Sequence, residues 1–563
     1  MIFLGPSAAE SARLREVAGG RAPADLVIAG GRVVDVEAER ILDGCSIAIA
    51  GGRVAAVGPA LEDRAGPQTE VFDARGGLVT PGLIEPHTHL ARLFIRETAR
   101  LQLAAGVTTT ILETAEVGYI AGAAAVRLML AEARRAPGRI LMTLSPMIGF
   151  DPDQEARLGP PEEWLPLIDD PLVVGVGEAY WAELLRGHKR SHALIAAAVA
   201  RGLAVEGHGA GARPERLREL VALGVGSDHE PTTPDEVHRR LELGLHVYLR
   251  NGTTRQDLDA LADLWADGPA PGRVALCTDG VGPGDLVAGR SLNQLVAMAA
   301  GTGLPVPSAL RMATLVPATR FGLAPWLGTL APGSVADLAV YPDETFTAPS
   351  MVLSSGTRSV AAPAGDLHSL DWIPPAIPLG PGLFHRPAAG RHRAMAILPE
   401  SPLVTREVET DGEGALLAVA IDRIGGRRAF RGLVLGLGFQ GGLAATTGSE
   451  SVAMLVIGDS AEDMSFAAHR VLDMQGGVTV VSGGRERASW RAPVAGLLSD
   501  SGADGVALDV DAVNAALRSL GCRMPDPLTT IDFLTSPAIP HLRIAADGYH
   551  RLRDGAVLPL EIP

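Results

Sequence analysis

At 563 residues the chain is too long for one hydrophobic core, so two to four folding units are expected. With 47% hydrophobic and 20% charged residues it is globular rather than disordered, and its formal charge of −16 argues against a nucleic-acid or anionic-membrane partner. Cys45, Cys277 and Cys522 stand far apart without a C-x-x-C, which argues against a disulfide framework or a cysteine-held zinc.

The first residues, Met1 to Gly20, lack the basic-then-apolar pattern of a signal peptide. No apolar run approaches the roughly eighteen residues of a membrane span. A soluble, cytoplasmic protein is expected. Residues 1–22 carry a short charged helix, from about Ser7 to Ala18, with Leu14 and Val17 on one side. Two β-rich runs follow, Asp25 to Asp35 and Ser46 to Gly58, each bent at Gly-Gly in the manner of a hairpin. They open a small sheet module, residues 23–78.

From Val79 to Leu323 short apolar strands alternate with helical stretches. The strands are Thr108–Leu112, Arg139–Leu144, Leu172–Val176, Leu203–Gly207, Gly224–Ser227, His246–Leu249 and Val274–Cys277, after a first one ending in His87-Thr-His89. Ala123–Arg135 and Ser191–Arg201 are among the helices. About eight β/α units in roughly 250 residues predict an α/β fold of the closed (β/α)8 barrel type, with a doubly wound open sheet as runner-up. No G-x-G-x-x-G follows a strand to support a dinucleotide site.

Polar residues gather where these strands end. His87 and His89, two apart on a strand, point to one side and can chelate one divalent ion. Glu178 follows Val-Val-Gly-Val-Gly, His208 follows Ala-Val-Glu-Gly, His229 sits in Ser-Asp-His-Glu, and Asp279 ends Ala-Leu-Cys-Thr-Asp. Any one of these reads equally well as a surface histidine or a capping carboxylate. Four histidines and two carboxylates leaving successive strands suit a pair of transition ions bridged by a carboxylate and a hydroxide.

These motifs resemble the amidohydrolase superfamily, and within it the adenine deaminase family. The order His87-x-His89, Gly175-Val-Gly-Glu178, Glu206-Gly-His208, Ser227-Asp-His229-Glu230, Arg250-Asn-Gly-Thr and Cys277-Thr-Asp279 carries the resemblance. The Gly-Gly-Arg strands and Gly328 to Val340 resemble that superfamily's split β-sandwich, here 23–78 plus 324–372 around a barrel of 79–323. Leu437-Gly-Phe439, Glu462-Asp463-Met464, Gly476 to Val481, Pro493 to Asp500 and Asp526-Pro-Leu-Thr resemble the family's own C-terminal α/β domain, here 383–563. A linker dense in proline, Ile373 to Gly382, introduces it. The strands Val452–Ile457 and Gly477–Val481 flank a helix Ala461–Met474, and the domain is expected to pack on the barrel mouth or to mediate a homodimer.

The resemblance implies that His87, His89 and Asp279 hold one ion and His208 and His229 a second, with Glu178 between them. Manganese, iron and zinc all suit such ligands. It implies a metal-activated hydroxide attacking an sp² carbon of a small nitrogen heterocycle, by family default C6 of adenine. Asp279 passes a proton to the leaving nitrogen, and Glu116 is a candidate to protonate a ring nitrogen. Glu116 also reads as an ordinary helix-start carboxylate after Thr114.

Several positions depart from the family pattern. Asp-Pro-His-Glu is here Glu113-Thr-Ala-Glu116, and Ile-Glu-Ser-Ser is Leu90-Ala91-Arg92-Leu93. The second Asp after Cys-Thr-Asp is Gly280. Arg-His-His is Arg423-Ile424-Gly425, and His-Asp-Ser-His-Asn aligns with Ser449 to Ala453. Ligands are kept while polar residues on the purine side are lost. A second expectation is therefore a hydrolase of a small cyclic amide, such as a hydantoin- or imidazolone-type acid, with Arg92 gripping a carboxylate. The plain alternative for Arg92 is a solvated residue on a helix Leu93–Leu103. Arg250 is a candidate to bind substrate or to cap a strand. A non-catalytic metal-binding descendant is a third reading, weakened by the complete ligand set. The zinc deaminases of nucleic-acid bases are excluded by the missing H-x-E and P-C-x-x-C.

Overall fold

The computed structural model describes residues 5–562 apart from 91, 147–157, 254, 267, 359–369, 371, 399–400, 424–426, 447–452 and 540, and apart from the side chain of 402. Ser7 caps a helix Ala8–Ala18 through a reciprocal box with Glu10. The helix rests Val17 on Val27, Ala48 and Ala55 of the sheet beneath.

That sheet begins with β1 (Leu26–Asp35), β2 (Arg40–Ala50), β3 (Arg53–Gly58), β4 (Glu70–Asp73) and β5 (Leu78–Pro81). β1 is bulged between Ile28 and Val33, so its first half pairs β4 and its second half pairs β5. Alternation sends Ile28, Ile47 and Ile49 to one face and Val27, Ala48 and Ala50 to the other.

Eight parallel strands follow: β6 (Leu83–Thr88), β7 (Val107–Glu113), β8 (Arg139–Leu144), β9 (Val173–Tyr180), β10 (Ala204–His208), β11 (Ser227–Asp228), β12 (His246–Arg250) and β13 (Val274–Cys277). They pair in strict sequence order. A parallel bridge between Thr88 and Asp279 closes the ring. The barrel is the expected one, not the open sheet. Its strands are buried on both faces, which is why they read as apolar runs rather than alternating ones. The chain then returns to the first sheet, where β14 (Leu338–Tyr341) pairs β5 and carries β15 (Met351–Ser354) and β16 (Thr357–Arg358). Val79, Leu338 and Val340 share a core with Ile28 and Ile47, so both halves of the module, before and after the barrel, meet there.

The differences from the expected elements are local. The strand expected over Gly224–Ser227 is ladder-paired only at Ser227–Asp228, because Gly224, at φ +101°, turns the chain out of the preceding helix. The helix expected from Ala123 runs from Ala115 to Ala133, broken at Gly122 (φ 61°, ψ −154°), where any Cβ meets the Leu158 carbonyl at 2.9 Å. The first segment, which begins after Thr114, carries Glu116 in its first turn. The helix expected over Leu93–Leu103 spans Ile95–Ala104, which leaves Arg92 off it.

In the C-terminal region, β17 (His392–Leu398), β18 (Ser401–Thr410), β19 (Leu416–Asp422), β20 (Ala429–Leu435), β21 (Gly442–Ala445), β22 (Ala453–Gly458), β23 (Gly477–Val481) and β24 (Glu486–Arg491) form one sheet. The helix Ala461–Asp473 covers one face and Ala503–Ser519 the other. The proline-rich linker is no free tether, since Leu379 is buried with Met464 and Val471. Val506, Val510 and Leu517 share a core with Leu93, Leu101, Val281 and Leu286 of the barrel. The C-terminal domain therefore sits on the barrel mouth. Ile424, Gly425 and Ser449 to Val452, where departures from the family pattern fall, lie outside the described residues.

Candidate metal centre

All six strand-end residues meet at the barrel mouth. Glu178, near the end of β9, is the hub: its Oε1 lies 3.1 Å from His229 Nε2, 3.3 Å from His87 Nε2 and His208 Nδ1, and 3.6 Å from His89 Nε2. Asp279 Oδ1 stands 3.3 Å from His87 Nε2 and 3.6 Å from His89 Nε2. Two donor groups result, His87, His89, Glu178 and Asp279 on one side and Glu178, His208 and His229 on the other.

The backbone is shaped for this. Asp279 adopts a left-handed φ of +60°, and is held there by hydrogen bonds from its N–H to the His87 carbonyl and from the His89 N–H to its own carbonyl. The glycine before Glu178 has a packing reason, since a Cβ on Gly177 falls 1.7 Å from Glu113 Oε2. Glu113 sits beneath Glu178 and accepts its N–H at 3.0 Å. Burial, then the Glu178 charge, pushes the Glu113 carboxyl up to about 7.

The donor set fits divalent ions. His87 Nε2 is buried without a hydrogen bond. His208 Nδ1 and His229 Nε2 face each other at 3.3 Å. Metal–ligand bonds of about 2.0–2.1 Å at tetrahedral angles separate two donors by roughly 3.3–3.4 Å, the spacing found here. The outer ring nitrogens have partners that fix the tautomers: His89 Nδ1 lies 2.6 Å from Glu116 Oε1, and His208 Nε2 lies 2.9 Å from the Ala538 carbonyl. Donation from those nitrogens turns the inner nitrogens, His89 Nε2 and His208 Nδ1, toward Glu178.

Electrostatics agree. Burial opposes a charged His87, but Asp279 and Glu178 outweigh it and push the ring up to about 10. Burial likewise opposes the charge on Glu178, yet His89, His208, His229 and His87 hold it well below the usual carboxylate range. Burial works against Asp279 as well, and His87, His229 and Arg250 drive it down. A pocket that calls for positive charge beside buried carboxylates is one that cations satisfy.

The other expected residues, Glu116, Arg92 and Arg250, also line the mouth. Glu116 is in the mouth, but its Oε1 is taken by His89; its Oε2 is buried with no hydrogen bond. Arg92, off the following helix, lines the cavity, is ion-paired with Asp532 and lies 5.7 Å from the Trp490 ring centre. Arg250 is buried against Glu230, against Asp257 at 3.0 Å and against Asp279 Oδ2 at 3.5 Å. It also lines the cavity, beside Asp279 and Glu230. The Asn-Gly that follows it has a steric cause, because a Cβ on Gly252 meets the Thr278 carbonyl at 2.2 Å.

The centre opens into a cavity of about 340 Å³, within the range of small-molecule sites. One wall belongs to the C-terminal domain, through Leu498, Asp532, Phe533 and Ile539. Two further residues of the cavity wall, Glu230 and Arg255, escaped the sequence reading. Glu230 adjoins His229 in the motif itself and stands 3.5 Å from both His208 and His229, so its position offered a signal. Arg255 is half-buried in the cavity wall, its side chain making no hydrogen bond or ion pair among the described residues. Nothing in the sequence separates it from any other loop arginine.

Comparison with known proteins identifies relatives of the chain. Residues 397–555 match the model of the adenine deaminase C-terminal domain, and residues 176–362 that of the amidohydrolase family. An adenine deaminase of Nitratidesulfovibrio vulgaris is 34% identical over 96% of this chain and 97% of its own. One of Rubrobacter xylanophilus is 33% identical over 95% and 94%. Among solved structures, that of molinate hydrolase is 18% identical with a TM-score of 0.46, covering 60% of this chain and 95% of the other.

Proposed function

Since the chain belongs to the adenine deaminase family, and is a metal-dependent hydrolase of carbon–nitrogen bonds, we propose that it binds two divalent ions and converts adenine to hypoxanthine and ammonia. The observation that carries this reading is the convergence of His87, His89, His208, His229 and Asp279 on the single carboxylate of Glu178. His87, His89 and Asp279 would hold one ion and His208 and His229 the other, with Glu178 common to both; manganese, iron or zinc suits the set. Such ions supply Lewis acidity and an acidified water.

The protein's own groups do the rest. Asp279 faces both the histidines and the cavity, and it takes the proton of the attacking water and returns it to the departing amino nitrogen. Arg250 keeps Asp279 oriented through Oδ2. Glu116 fixes His89 with one oxygen and presents the other to the substrate ring. Arg255, which lines the wall and makes no side-chain hydrogen bond or ion pair among the described residues, donates to an electron-rich edge of the heterocycle. The C-terminal wall restricts water at the mouth.

Hydrolysis of a carboxylate-bearing cyclic amide rested on Arg92; that arginine already pairs with Asp532 through Nη2, and the relatives are adenine deaminases, so that reading is not favoured. The test is ammonia release from adenine by manganese-loaded protein, beside an Asp279→Asn control. Turnover that vanishes in the control is the expected result. Protein that holds two ions and releases no ammonia from adenine would overturn the assignment of substrate.

A further inference from the structure

The C-terminal domain reaches the ligand histidines through one short segment, and one buried arginine holds that segment. His208 Nε2 donates to the main-chain carbonyl of Ala538 at 2.9 Å, which turns Nδ1 toward Glu178 and His229. Ala538 lies in a loop that starts with a short 3-10 turn, Phe533–Thr535, and is held locally by its own N–H to Ser536 Oγ at 3.1 Å. A carbonyl on a loop fixes an imidazole only if the loop itself is fixed.

Arg543 does this. Its guanidinium is fully buried, and its fork of N–H groups spans both ends of the loop: Nε donates to the Ile539 carbonyl at 2.9 Å and Nη1 to that of Phe533 at 3.2 Å. Nη2 donates to the Leu403 carbonyl of β18 at 2.8 Å, which ties the loop to the C-terminal sheet. A planar fork with five donors in fixed directions is the one side chain able to hold three carbonyls so arranged. The residue that opens the loop, Asp532, pairs with Arg92, which sits in a left-handed conformation (φ 61°) just beyond His89. The same loop thus touches the chain behind both donor groups.

We infer that Arg543 is a positioning residue of the metal centre: through the Phe533–Ile539 loop it holds the Ala538 carbonyl against His208, making the C-terminal domain a part of the site rather than an appendage. The inference rests on His208 being a metal ligand and not on the identity of the substrate.

The test uses the full-length chain, stripped of metal and titrated with cobalt(II), read by visible absorption and by bound-metal stoichiometry. In Arg543→Met the ion held by His208 and His229 is expected to bind about 10–100-fold more weakly, with an altered cobalt spectrum, while the ion at His87, His89 and Asp279 binds as before. Arg543→Lys, which keeps the charge but not the fork, is expected to restore part of the loss. Arg423→Met is the control: Arg423 is also buried in this domain and donates to the Thr446 and Ala495 carbonyls, so it is expected to lower stability without touching either ion. Wild-type cobalt affinity and spectrum in folded Arg543→Met would overturn the inference, as would equal weakening by Arg423→Met. Should Arg543→Met not fold, Ser536→Ala decides: a few-fold weakening of the same ion supports the inference and an unchanged titration ends it. Wild-type protein that binds two ions but leaves adenine intact would sink the substrate assignment alone.

Discussion

Glu206 and His208 stand two residues apart on β10 and both are buried, yet they belong to clusters built on opposite rules. Glu206 is enclosed by permanent partners: Arg320 Nη2 at 2.5 Å from Oε1, and the hydroxyls of Ser227 at 2.7 Å and Tyr248 at 2.5 Å on Oε2. Its charge is balanced by the chain itself. His208 instead turns Nδ1 toward His229 Nε2 at 3.3 Å and Glu178 Oε1 at 3.3 Å, inside the ring of converging ligand atoms. A buried polar group that is satisfied serves the fold; one that converges on other acceptors serves a ligand. The contrast separates structure from function where burial alone does not.

Substitutions at four positions break or sharpen that contrast, from the largest expected effect down. Asp279→Asn is expected to reduce turnover by about 10³-fold or more, since it removes both a donor and a proton carrier, while thermal unfolding of the metal-free protein changes little. Glu206→Ala is expected to do the reverse, costing about 3–5 kcal/mol of stability by stranding Arg320 in the barrel. Denaturant melts beside metal stoichiometry read both. Acid sharpens the same point. Burial opposes the charge on Glu206, but Arg320, Tyr248 and Ser227 hold its carboxyl below the ordinary value. The stability it contributes is then present above the usual carboxylate range and lost as pH falls through its lowered folded value. Glu206→Gln is expected to flatten the acid limb of the stability curve, and an unchanged slope would count against the ion pair.

Glu116→Gln comes third. It removes the carboxylate that orients His89, and is expected to weaken metal binding by about 10–100-fold with the fold intact, by calorimetric titration. Arg255→Ala is the smallest, a rise in KM of about tenfold with kcat largely kept, as follows from losing a hydrogen bond to a charged donor of about 1.5 kcal/mol. A fall in kcat with KM unchanged would remove Arg255 from substrate binding.

Much of this was legible in the sequence, for physical reasons. Strands buried on both faces leave unbroken apolar runs, so all eight barrel strands were visible, and polar residues at their ends stood out against that background. Asp279 and Glu178 were visible on the same ground. Arg92 was not. Its partner Asp532 lies 440 residues away, and no local pattern encodes so distant a pairing. Glu116 was seen as an acid but not as the partner of His89, because the short helical segment before Gly122 gives too little periodicity to orient it. The Ala538 contact has no sequence signal at all, since every residue carries a carbonyl.

The return of the chain to its first sheet bears on how the protein is made. Leu78 of β5 pairs Tyr341 of β14, about 260 residues later. At roughly 5–20 residues per second, the ribosome delivers the second partner some 13–50 s after the first. Through that interval β5 presents an apolar, unpaired edge while the barrel is still being synthesised, and an edge of that kind recruits other chains. Nascent chains arrested between β5 and β14 should accordingly be the most dependent on chaperones, and release from that dependence should coincide with emergence of Leu338–Tyr341 from the ribosome.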